Sequence, residues 1–135
     1  MSCGARLPAG RLPHPHLFYI IGLIIFAIGL VIRWGSIMYL GRFFTVNVAI
    51  ARDHELITTG PYRFVRHPSY TGTFFIFLGF GLCLLNIWAM IALLLPVWAV
   101  FLWRMQVEEI ALRGAFGERY RTYAERTWRV LPPLY

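Results

Sequence analysis

Between His54 and Tyr70 the chain reads HELITTGPYRFVRHPSY, its densest run of chemically capable side chains. Two histidines, two tyrosines and two arginines sit there with a serine, a glycine and two prolines, between long apolar blocks. Polar and backbone-restricting residues are costly to keep beside such blocks, and they mark places where something charged is held at a lipid boundary. Gly60-Pro61 signals a loop. Pro68 suits the first turn of a helix, where its missing N–H costs nothing, so a helix is expected to begin there with His67 at or near its N-cap. The free N–H groups of that turn, and the positive end of the helix dipole, would then lie close to His67 and Tyr70, a setting for a carboxylate or phosphate. Taken singly, His54 and His67 are more often capping or core histidines.

A second constellation follows some 35 residues later. Arg104 and Glu108 are four apart and share a helix face, while Glu109 is turned about 100° away. In isolation this is an ordinary surface ion pair worth about 0.3–0.5 kcal/mol, with the cation on the less favourable N-terminal side. Its place at the end of an apolar block, on the side of the His54–Tyr70 loop, would bring two basic segments to one mouth. No HExxH or paired CxxC points to a metal, and no Ser-His-Asp set is readable. Gly79-Phe80-Gly81 lies in an apolar stretch with no strand before it, so it reads as small residues letting helices approach closely. Cys3 and Cys83 suggest no disulfide framework.

The elements that must position these residues are apolar. Hydrophobic residues make up 59% of the 135 and charged residues 14%, against roughly 25% charged in an ordinary globular domain. From Thr71 to Trp103 no residue is charged, and those 33 residues exceed the roughly 20 that one membrane crossing needs. Two crossings joined by a turn at Asn86 fit them, and Leu17–Ile32 supplies an earlier one. The expectation is an all-α integral membrane protein, a single domain over residues 1–135 with about three transmembrane helices near 17–34, 69–85 and 87–103, the last two a helical hairpin. The flank after the first block lacks a small-x-small cleavage pattern, which argues against a signal peptide. Pro96 should kink or loosen the third span. Arg42 and Asn47 interrupt 37–51, which is not expected to cross fully; from Thr45 its alternation fits a short hairpin or an interfacial stretch. The tail is expected to form an amphipathic helix on Val107, Ile110, Ala111, Tyr120, Tyr123 and Ala124, divided at Gly114 and Gly117.

The net charge of +7 carries no lysine, only arginine. With three crossings, Arg6 and Arg11 lie on one side and the other 11 arginines lie with the loop and tail, which the positive-inside rule puts in the cytoplasm. Arginines flanking lipid spans need no nucleic acid as partner.

The pairing of HELITTGPYRFVRHPSYTG with the later RMQVEE and FGERYRTYAERTWRVLP resembles the isoprenylcysteine carboxyl methyltransferase family, related to the membrane phospholipid methyltransferases. The likeness covers about residues 40–133, and both blocks agree in order and spacing. It implies an S-adenosylmethionine-dependent methyltransferase without a Rossmann domain, whose cytoplasmic loop and C-terminal helix form the cofactor site. It assigns cofactor contacts to His54, Glu55, Leu56, Ile57, Tyr62, His67, Pro68, Ser69, Tyr70 and Glu108. A further contact upstream is glutamine in the family and Asn47 here, one methylene shorter. Arg104 matches the arginine assigned to the acceptor's carboxylate. Implied partners are S-adenosylmethionine from the cytoplasm, a lipophilic acceptor entering sideways from the bilayer, and membrane lipids. A carboxylate attacks a methyl sulfonium without a general base, so the site's work would be alignment and desolvation. The acceptor stays open among an isoprenylcysteine-like carboxylate, a phospholipid amine (with Glu109 as partner carboxylate) and a small thiol. A non-enzymatic membrane scaffold and a nicotinamide-dependent membrane reductase are the readings from other classes. The short length suggests a bacterial inner membrane with the site facing the cytoplasm.

Overall fold

Among the residues described by the computed structural model (9–41, 55–133 and 135), regular structure is helical. Its elements are α1 (Pro15–Leu40), a 3-10 turn at Gly60–Arg63, α2 (Pro68–Cys83), α3 (Ile87–Phe116) and α4 (Glu118–Glu125). The expected start at Pro68 is observed, with His67 as N-cap residue but without a side-chain cap bond. The expected turn at Asn86 is observed too. Its side chain caps α3 by accepting from the N–H groups of Trp88 (2.9 Å) and Ala89 (3.2 Å).

α1 is longer than expected, running on past Arg33-Trp34 to Leu40. The reason lies in the partner helix. Arg33 Nη1 donates to Ser69 Oγ (3.3 Å) and to Thr73 Oγ1 on α2, so the charge is met across a seam and need not end the helix at the lipid edge. Residues 37–40 therefore continue α1; the hairpin expected from Thr45 lies outside the described residues.

Small residues set the distance between α1 and α2. A Cβ on Gly79 would lie 2.5 Å from the Gly22 carbonyl oxygen and 2.5 Å from the Phe26 nitrogen. One on Gly29 would lie 2.6 Å from the Ile76 nitrogen. The two backbones touch, which is how helices gain packing contact in lipid, where no hydrophobic drive joins them. At the far end, the lead-in closes on the α2–α3 turn: Leu12 N donates to Leu85 O (2.9 Å) and Ile87 N to Gly10 O (2.8 Å).

α3 holds the main surprise. It passes through Pro96 and beyond Trp103 as one 30-residue helix, about 45 Å long. The first part of the tail is thus no separate helix: Gly114 stays helical within α3, and the division falls at Gly117, whose φ of 54° belongs to the left-handed region, after which α4 forms with Tyr120 buried and Tyr123 and Ala124 half-buried. The face is also different. Ile110 is 69% exposed, while Met105 and Glu109 are buried, so the inward side of this extension carries a charged residue beside an apolar one.

α1 and α3 are long and apolar enough to cross a membrane, and their apolar windows are only 11% and 0% buried. A soluble protein's core helix would be covered; here Ile20, Val31, Leu95 and Val100 face outward. This outward apolar belt is what lipid requires. α2, with 16 residues, is a shorter apolar helix.

Gly79→Ala is expected to force α1 and α2 apart and cost about 1–3 kcal/mol in detergent unfolding. Gly114→Ala, with nothing within 4 Å of the added methyl, should raise stability by up to about 1 kcal/mol. Thermal or denaturant unfolding of both variants checks the pair.

Candidate active site

The loop before α2 and the end of the chain form a small backbone ladder. Arg66 N donates to Trp128 O (2.7 Å), His67 N to Arg129 O (3.0 Å) and Trp128 N to Phe64 O (3.0 Å). Thr71 Oγ1 adds a bond to Val130 O (2.7 Å), and Tyr123 Oη donates to the Tyr62 carbonyl (2.7 Å). Arg66 Nη1 donates to the carbonyls of Ala124 (2.6 Å) and Thr127 (2.7 Å), covering the C-terminal end of α4. His67 is thereby held from its backbone before its ring makes any contact.

The His67 ring, 6% exposed, lies between the two neighbouring glutamates of α3. Its Nε2 is 3.2 Å from Glu109 Oε1, and its Nδ1 is 3.7 Å from Glu108 Oε2. Successive helix residues point about 100° apart, and that divergence is what lets one ring fit between them. Tyr70 Oη donates to Glu108 Oε1 (2.6 Å), and Arg104 Nη2 is 3.6 Å from the same oxygen. The loop motif and the Arg104/Glu108 pair thus meet, as the sequence led us to expect.

Glu109 is the residue whose place sequence reasoning missed. It is 2% exposed and receives Arg66 Nε (3.1 Å) and Arg129 Nη2 (3.1 Å), with Arg113 Nη2 at 3.9 Å. Burial alone would raise its carboxyl pKa; the His67 hydrogen bond and the charges of His67, Arg66 and Arg129 outweigh that and lower it to about 2. A carboxylate so enclosed has no room to serve an incoming amine, which removes the role expected for it with an amine acceptor. The visible signal was the Glu108-Glu109 doublet itself; the partners Arg66 and Arg129, 63 residues apart in the chain, carried none.

The other expected residues divide. Tyr62 is buried, stacked on Tyr39 with ring centroids 6.4 Å apart, and its hydroxyl donates to the Ser36 carbonyl (3.4 Å). Burial, with Glu108 adding, pushes its pKa up to about 12. Pro68 is buried in the first turn of α2. Ser69 faces the α1 seam, where its hydroxyl accepts from Arg33, on a different side of α2 from Tyr70. Leu56 and Ile57 are half-buried and Glu55 is exposed. Asn47 and His54 lie outside the described residues.

The carboxylate of Glu108 keeps unused accepting capacity. Its Oε1 is engaged by Tyr70 and faced by Arg104, whereas Oε2 accepts no hydrogen bond among the described residues. Such an oxygen, 3.7 Å from a ring nitrogen, suits a cationic or N–H-bearing ligand. Among the described residues no group of three or more His, Cys, Asp or Glu could hold a metal.

The depressed Glu109 pKa makes a linkage prediction. A carboxyl with a native value near 2, against 4.5 in its absence, adds stability that is complete above about pH 4.5 and is lost as pH falls toward 2. Acid unfolding of the wild type should therefore show a loss over that window, and Glu109→Gln should lack it while being less stable at pH 7.

The phospholipid methyltransferase family model matches residues 17–119. A probable protein-S-isoprenylcysteine O-methyltransferase of Oryza sativa subsp. indica is 37% identical over 114 residues, covering 83% of this chain and 60% of that protein. Protein-S-isoprenylcysteine O-methyltransferase A of Arabidopsis thaliana is 38% identical over 106 residues, covering 77% of this chain and 54% of that protein. The chain thus spans about half to three-fifths of the length of these relatives. Among solved structures, a eukaryotic intramembrane Ras methyltransferase, isoprenylcysteine carboxyl methyltransferase, matches with a TM-score of 0.82 and 34% identity, over 87% of this chain and 43% of that one. These relatives agree with a membrane protein; being eukaryotic, they lend no support to the bacterial inner membrane expected from the short length. By sequence match over most of its length and by a shared helical fold, the chain belongs to the phospholipid methyltransferase family.

Proposed function

We propose that the chain is an S-adenosylmethionine-dependent membrane methyltransferase that esterifies the carboxylate of an isoprenylcysteine-like lipophilic acceptor. The observation that carries this reading is the meeting of His67, Tyr70, Glu108 and Arg104 at one mouth. In the same reading α2 completes a third crossing, and the loop, the α3 extension and α4 face the cytoplasm, where the basic residues collect.

The residues fit the cofactor's chemistry. The free oxygen of Glu108 beside His67 suits its ammonium; the loop residues Glu55, Leu56, Ile57 and Tyr62, with His54 and Asn47 upstream, are its proposed lining, together with His67, Pro68, Ser69 and Tyr70. When bound, S-adenosylmethionine supplies an electrophilic methyl group. Everything else is alignment. Arg104, at the point where α3 leaves its apolar stretch, orients the acceptor carboxylate, best by a two-pronged hydrogen bond. The apolar outward faces of α2 and α3 let a lipid chain approach from the bilayer, and exclusion of water strengthens every charge contact inside. Commitment of Glu109 to Arg66 and Arg129 leaves no carboxylate partner of that kind for an amine acceptor, which favours the carboxylate acceptor over a phospholipid headgroup.

Calorimetry on the detergent-purified protein should detect S-adenosylmethionine, with Glu108→Gln and His67→Ala binding about 10–100-fold more weakly, the range for lost hydrogen bonds to a charged group. Arg104→Ala should keep the dissociation constant within about threefold and lower methyl transfer to farnesylated cysteine by roughly 100-fold. Transfer to phosphatidylethanolamine but not to the prenylated carboxylate would reassign the acceptor. No cofactor binding by folded protein would turn the reading toward a scaffold or reductase.

A further inference from the structure

Arg33 is the only arginine of α1, and the mouth between α2 and α3 does not use it. Counted from Pro15 at roughly 1.5 Å per residue, it stands about 27 Å along the helix, close to the roughly 30 Å of a bilayer's hydrocarbon core. Its neighbour Trp34 is 60% exposed, as an indole at headgroup level would be. Arg33 therefore sits where acyl chains give way to headgroups. It lies on the Ser69 side of α2, turned away from the Tyr70 side that meets Glu108.

The guanidinium is held by one nitrogen. Nη1 donates to Ser69 Oγ (3.3 Å) and to Thr73 Oγ1. The Thr73 hydroxyl donates its own proton to the Ser69 carbonyl (2.9 Å), so a lone pair faces Arg33. The backbone is pinned as well, since a Cβ on Gly72 would lie 2.5 Å from the Arg33 nitrogen. Nε and Nη2 make no hydrogen bond among the described residues, and the residue is half-buried, not sealed. Those two nitrogens share one edge of the planar group, and their parallel N–H bonds match two oxygens of a single anion.

Charge narrows the ligand. The hydroxyls of Ser69 and Thr73 supply dipoles but no negative charge, and among the described residues no ion pair includes Arg33. Glu108, Glu109, Glu118 and Glu125 meet other arginines. A cation left without a counter-charge at a lipid boundary is costly. A phosphodiester has two free oxygens and one negative charge, and acyl chains hold it at that depth.

We infer that Arg33, fixed by Ser69 and Thr73, is a binding site for the phosphate of a phospholipid, one lipid lying across the α1–α2 seam. An anionic headgroup is favoured over a zwitterionic one, because it brings no ammonium toward the guanidinium. The site is separate from the mouth and does not depend on the methyltransferase reading.

Native mass spectrometry of the purified protein in an uncharged detergent, titrated with phosphatidylglycerol, tests it. One lipid should bind more tightly than those that follow. Arg33→Gln should weaken that first event at least about 10-fold, the scale of lost charge-assisted hydrogen bonds. Arg33→Lys keeps the charge but not the paired N–H edge, and should weaken it by several-fold. Arg119→Gln removes an exposed arginine from α4 and should leave it within about twofold. Equal losses in Arg33→Gln and Arg119→Gln would mean general surface charge and would refute the site. Equal binding of a diacylglycerol with the same chains would assign the contact to the tails alone, and equally tight binding of glycerol phosphate would make the ligand a free phosphate; either overturns the proposal. Should Arg33→Gln lose helix content, Arg33→Lys and the three ligands on wild-type protein decide.

Discussion

A carboxylate shut away from water has to be met by cations and hydrogen-bond donors or it will not stay ionised, and the membrane-surface end of this protein is organised around one such group. Glu109, 2% exposed, draws on Arg66 in the loop, His67 at the mouth of α2 and Arg129 near the chain's end. Each comes from a different segment, so one buried charge ties the loop, two helices and the C-terminal stretch into a unit. Desolvation makes such a cluster poor at adding net stability, but removing any partner leaves the rest uncompensated. Its value here is geometric. The residues that meet Glu109 also carry the backbone ladder between 64–67 and 128–130 and the cap that Arg66 places on α4.

The seam between α1 and α2 obeys a different rule. Between α1 and α2 glycines let backbones touch, and Arg33 is met by the hydroxyls of Ser69 and Thr73. Packing there depends on shape, because lipid offers helices no hydrophobic reason to associate. α2 therefore works on two sides at once. Its Ser69–Thr73 side is fastened to α1, and its Tyr70 side looks toward α3 and Glu108. A residue read from sequence as one motif, HPSY, is split by the helix into two directions.

Much of the site was legible. His67, Tyr70, Glu108 and Arg104 stand out because their types are rare beside apolar blocks and their spacing is helical, and the structure brings all four together. Glu109 was not legible, since a doublet of glutamates says nothing about which one turns inward. The tail misled for a related reason: Val107 and Ile110 look like a buried stripe, but near a membrane an apolar residue can face lipid as well as a core. Ile110 is 69% exposed, while Glu109 on the other side of the helix is buried.

The division between the two sources of information follows from range. Composition, the uncharged run 71–103, the proline that opens α2 and the asparagine that caps α3 are local or cumulative properties, and they determined by themselves that this is a helical membrane protein with a polar mouth before α2. Which glutamate is buried and which arginines balance its charge depend on residues tens of positions apart. Those choices are made by desolvation, and desolvation exists only once the chain has folded.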